Sequence, residues 1–157
     1  MTEKKTIAPT LPTRFNIRVY GLLIHKNRIL ITDEVFRCRP MTKFPGGGLE
    51  FGESLPDCLR RECMEELGRK IKISGHYYTC DDFVISEFHK EHQVIPVYYR
   101  IALSHPEKLK VHDKKPEYPA GTSEALSLRW LDFSPKNAEQ FTFPTDRKVF
   151  KMLCGAV

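Results

Sequence analysis

The chain has 157 residues, of which 41% are hydrophobic and 29% charged, and carries a formal net charge of +5. That is the size of one domain able to bury a real core, and the composition excludes global disorder. No apolar run approaches the roughly 20 residues that a spanning helix needs, and the basic surplus favours anionic partners.

Residues 1–13, MTEKKTIAPTLPT, lack the apolar core of a secretory signal and are rich in Thr, Lys and Pro. A flexible tail is expected there, followed by a single domain over 14–157 in a cytoplasmic protein. Residues 15–32 form two β-branched and aromatic runs broken by the polar HKNR, the pattern of a hairpin. The segment RCRPMTKFPGGGLEFGES, 37–54, reads as a short strand entering a flexible turn of three glycines, Gly46, Gly47 and Gly48. Arg37, Arg39 and Lys43 precede that turn and are candidates for meeting phosphates, with surface solubility as the plain alternative.

A helix is expected from the N-cap residue Ser54 to a stop at Gly68. Residues 71–103 supply three strand signals, IKISGHYYTC, DDFVISEF and QVIPVYYRIAL. Pro96 places the last of these at an edge or gives it an irregular start. Residues 104–124 form a long polar loop, and then ALSLRWLDF reads as a strand, with short helices expected over 135–141 and 145–154. Strands around one central and one terminal helix indicate an α+β layered domain on a mixed sheet. Five cysteines without a C-x-x-C pair, and six scattered histidines, indicate neither a disulfide framework nor a zinc site.

Within the central helix, RRECMEELG sets Glu62, Glu65 and Glu66 one turn apart, where like charges repel by a few tenths of a kcal/mol per pair. At about 100° per residue, Leu55, Cys58, Leu59, Cys63 and Leu67 form one apolar stripe. Glu62 and Glu66 fall inside it and Glu65 at its edge, while Asp57, Arg60 and Met64 lie opposite. These acids therefore aim toward the protein, where charges must be paired or must coordinate something. Arg61 reaches Glu65 at i+4; the others fit either a buried salt-bridge network or a hard divalent cation such as Mg²⁺ or Mn²⁺.

Read outward from Gly47, five residues lead to Glu53, seven more to Arg61-Glu62, and then come Glu65-Glu66 and Gly68. This resembles the Nudix box, with Arg69 as the one departure, where an aliphatic residue is usual. The resemblance implies an α/β/α sandwich with a mixed sheet between helices, and hydrolysis of a nucleoside diphosphate linked to another moiety. It implies Mg²⁺ or Mn²⁺ held by Glu62, Glu65, Glu66 and the carbonyl of Gly46, with Arg61 and Glu53 orienting the carboxylates and bracing the loop. Gly46, Gly47 and Gly48 would let backbone approach metal and phosphate closely. Glu124, six residues before Trp130, is the candidate for a further acid from outside the box. The expected substrate is a nucleotide-type small molecule. The alternatives are an RNA 5′-end or cap pyrophosphohydrolase and a non-catalytic nucleotide-sensing module. Oligomeric state is open, pairing into homodimers being common in the family.

Overall fold

The structure, a computed structural model, describes residues 11–155, so most of the tail expected over 1–13 lies outside the described residues. Strand β1 (Arg14–His25) turns through Lys26-Asn27, both at positive φ (47° and 58°), into β2 (Arg28–Phe36). Two consecutive left-handed residues match the twist of a tight hairpin, as the polar HKNR implied. A second hairpin follows through Arg37 and Cys38 (φ 49° and 61°) into β3 (Arg39–Lys43).

The three glycines are not a flexible turn. They form β4 (Gly46–Gly48), antiparallel to β1 in the register Arg18↔Gly48, Val19↔Gly47 and Tyr20↔Gly46. The approach is so close that a Cβ on Gly46 would lie 2.1 Å from the carbonyl oxygen of Val19, at a φ of +132°. Helix α1 (Leu55–Leu67) starts where Ser54 Oγ accepts from the Asp57 amide at 3.2 Å and ends at Gly68 in the left-handed region, as expected.

Strand β5 (Ile71–Thr79) runs antiparallel to β6 (His92–Leu103), and β6 runs parallel to β1. The expected strand DDFVISEF does not form; only Ile85 bridges to Gln93, and exposed Phe83 has no sheet face to pack on. Pro96 is not at an edge either, because β6 lies between β1 and β5. Its carbonyl accepts from the Cys80 amide one residue past the end of β5, so the N–H that proline lacks would face a position where the ladder is already ending. Strand β7 (Glu124–Asp132) pairs along β2, and after a 3-10 turn (Pro135–Gln140) the described chain ends in α2 (Pro144–Leu153).

Alternating residues divide the core between the two faces of the seven-stranded mixed sheet. Val19, Leu23, Leu30 and Ile101 pack with Cys58, Leu59, Cys63 and Leu67 of α1. Tyr20, Leu22, Ile29, Ile31 and Tyr98 pack on the other face with Phe141, Val149 and Phe150. The sandwich therefore presses α1 against the glycine strand.

Candidate active site

Packing the apolar stripe of α1 onto the sheet carries its carboxylates inward. The side chains of Glu62 and Glu66 are 15% and 9% exposed, whereas Glu65 is 59% exposed. Glu66 is held from two sides: its Oε2 accepts from the Gly46 amide at 2.8 Å, and its Oε1 accepts from Lys43 Nζ at 2.9 Å. Lys43, at the end of β3, is itself buried and also donates to the Gly46 carbonyl at 2.8 Å. Glu34 of β2 completes the group, with Oε1 2.8 Å from Lys43 Nζ. Burial pulls the Lys43 ammonium down, but Glu66 and Glu34 more than offset it, and the group stays charged above the usual lysine range. Burial pushes the Glu66 carboxyl up, against the opposing pull of Lys43.

Arg61 is the second cationic centre. Its fork donates to both oxygens of Glu53 (3.0 and 2.7 Å), to the Gly48 carbonyl (3.0 Å) and to Glu62 Oε1 (2.9 Å), with Glu65 3.5 Å away. Glu53 also accepts from the Glu50 amide, so one planar guanidinium ties the loop 49–54, the glycine strand and the helix together. Hydrogen bonds from Arg61 first, and from the Glu50 amide next, hold the Glu53 carboxyl down at about 2. Gly47 makes room for Glu62, since a Cβ there would lie 2.3 Å from its carboxylate.

Glu34, Lys43, Gly46, Gly47, Glu62 and Glu66 form one end of a cavity of about 1190 Å³ that also reaches Arg18 and Tyr20 of β1, residues 84–89, and the start of α2, while Glu53, Arg61 and Glu65 are not part of its lining. Arg18 donates to Tyr20 Oη at 2.8 Å and has no carboxylate at ion-pair distance among the described residues. Phe15 and Phe51 stand largely exposed on the lining. Of the residues expected to meet substrate, Lys43 and Gly47 line the cavity and Arg37 and Arg39 do not. Arg37 sits in the exposed β2–β3 turn over the ring of Phe36, and Arg39 reaches the Glu87 carbonyl at 3.4 Å. Glu124 is exposed at the start of β7, opposite Phe36, and is not part of the lining. Tyr20 is buried in the core with Phe44 and also lines the cavity. Glu34 and Arg18 escaped sequence reasoning. The available signal for Glu34 was an acid inside the buried β-run ILITDEVF.

Among the described residues no three acidic, histidine or cysteine side chains converge as a ready metal chelate. Lys43 and Arg61 account for this by holding the box carboxylates as ion pairs. The donor set nonetheless suits a hard cation: the Gly46 carbonyl and carboxylate oxygens of Glu66 and Glu34 already meet a cationic nitrogen at 2.8, 2.9 and 2.8 Å.

A family model for the NUDIX domain matches residues 13–151. The RNA pyrophosphohydrolase of Campylobacter jejuni is 28% identical over 82 residues, which are 48% of this chain and 53% of that protein. The chain thus matches about half the length of these curated relatives. Among solved structures, a Nudix hydrolase from Nitrosomonas europaea superposes with a TM-score of 0.63 at 15% identity, over 91% of this chain and 72% of its own. The E. coli dihydroneopterin triphosphate pyrophosphohydrolase gives 0.62 at 15% identity, over 92% of this chain and 100% of its own. The fold, the box and the model match agree: the chain belongs to the NUDIX domain family.

Proposed function

We propose that this enzyme cleaves the pyrophosphate linkage of a nucleoside diphosphate joined to another moiety, using Mg²⁺ or Mn²⁺ held by Glu62, Glu65, Glu66 and the Gly46 carbonyl. The observation that carries the reading is the meeting of Glu62, Glu66 and the glycine strand at one end of a cavity roomy enough for a nucleotide. When bound, the ion supplies charge neutralisation at phosphate oxygens and a water of lowered pKa. The chain does the rest. Arg61 holds Glu62 and Glu53 in place, Arg18 offers an uncommitted guanidinium to a phosphate, and Phe15 and Phe51 offer faces to a base. Glu65, whose only ion-pair contact among the described residues is Arg61 at 3.5 Å, is the carboxylate freest to take the proton of the attacking water. An intact set of box acids speaks against a non-catalytic sensor.

A second reading, removal of pyrophosphate from an RNA 5′ end, is supported by the similarity to RNA pyrophosphohydrolases over half the chain and by the aromatic side chains exposed at the cavity. The test is hydrolysis of nucleotide sugars, nucleoside triphosphates, dinucleoside polyphosphates and 5′-triphosphorylated RNA with Mg²⁺ or Mn²⁺ and with chelator. Metal-dependent turnover of a small nucleotide is expected, and Glu65→Gln should lower it by roughly two orders of magnitude or more. Turnover confined to RNA would favour the second reading, and turnover unaffected by chelator would refute the metal.

A further inference from the structure

Lys43 is an unusual neighbour for a cation site. The residue is 2% exposed, and its ammonium lies 2.8 Å from the Gly46 carbonyl and 2.9 Å from Glu66 Oε1, two of the oxygens assigned to the divalent ion above. A magnesium ion binds oxygen at about 2.1 Å, so an ion on those same two atoms would stand only a few ångströms from the ammonium, where the two cations repel. The third contact is Glu34, a carboxylate outside the box whose Oε1 already lies 2.8 Å from the ammonium. The lysine therefore keeps a partner when the other two oxygens are taken.

We propose that Lys43 is a resident counter-ion at the Gly46–Glu66 end of the metal site, and that an incoming divalent ion displaces it from those two oxygens while it keeps Glu34. This inference rests on the metal-dependent reading above. It explains how the chain brings Glu34 and Glu66 together without metal: the ammonium neutralises the pair until the ion arrives. It also makes Lys43 a competitor, so its presence weakens metal binding in return for a stable metal-free fold.

The experiment is calorimetric titration of Mn²⁺ into the wild-type protein and Lys43→Met, with melting temperatures in chelator and in Mn²⁺. Lys43→Met should bind Mn²⁺ roughly tenfold or more tightly, melt lower than wild type in chelator, and gain more from Mn²⁺. Should Lys43→Met fail to fold without metal, the same comparison between Glu34→Gln and Glu34→Gln/Lys43→Met, with one fewer buried negative charge, reads the same two outcomes. Equal or weaker Mn²⁺ affinity without Lys43, in either background, overturns the proposal. The two readings fail separately: Mg²⁺-dependent hydrolysis by the wild type with unchanged affinity in Lys43→Met refutes only the role of Lys43. Absence of Mn²⁺ binding in every protein refutes both.

Discussion

At the scale of single residues, the glycines separate what the fold needs from what the chemistry needs. A Cβ on Gly46 meets backbone, the Val19 carbonyl at 2.1 Å, while a Cβ on Gly47 meets only the end of the Glu62 side chain at 2.3 Å. Gly46→Ala should therefore cost several kcal/mol of stability, because β4 would have to leave β1. Gly47→Ala should keep a near-normal melting temperature and lose activity by roughly tenfold or more as Glu62 is pushed aside. Thermal melts run beside an activity assay distinguish the two; equal stability losses would refute the distinction. The spacing of glycines and acids was legible because the box is local in sequence. Lys43 was legible only as a charge, since its partner Glu34 comes from a neighbouring strand.

Among elements, α1 was readable from end to end: the cap, the stop and the inward-facing acids all depend on positions within one helix. The β-rich middle was less so, because a run such as DDFVISEF becomes a strand only when a partner edge is free, and residues 80–91 find almost none. Buried polar links between strands were not readable either. Arg129 on β7 donates to both oxygens of Asp33 on β2, at 2.8 and 3.2 Å, and to Gln140 in the following turn. Asp33 is buried, with Thr42 as its other side-chain donor. Arg129→Met should lower the unfolding free energy by about 3 kcal/mol in urea titrations, because it strands a buried carboxylate. A loss below about 1 kcal/mol would mean that Asp33 finds another donor.

Over the whole molecule, the two helix layers are tied to the sheet differently, α1 by its apolar stripe and α2 partly by a buried acid. Asp146 accepts from Tyr98 Oη at 2.7 Å, its second oxygen has no partner, and burial raises its carboxyl to about 7. A folded-state pKa above the unfolded value means that the native state binds the proton more tightly. This group's contribution is thus fully present below about pH 4 and is lost as pH rises through about 7. Asp146→Asn removes that loss, so its stability relative to wild type should improve between pH 5 and pH 8, by at most about 3 kcal/mol. Denaturation of both proteins at the two pH values checks this, and a constant difference would show that Asp146 does not titrate there.

The sequence by itself determined the family, the α+β class, the bounds of α1 and the inward aim of Glu62 and Glu66, since each follows from spacing along a single segment. Only the tertiary structure decided which cations meet those carboxylates, which arginine reaches the cavity and that Glu124 does not. Those outcomes depend on strand register, and register brings together Glu34, Lys43, Gly46 and Glu66 from β2, β3, β4 and α1, whose proximity no local pattern encodes.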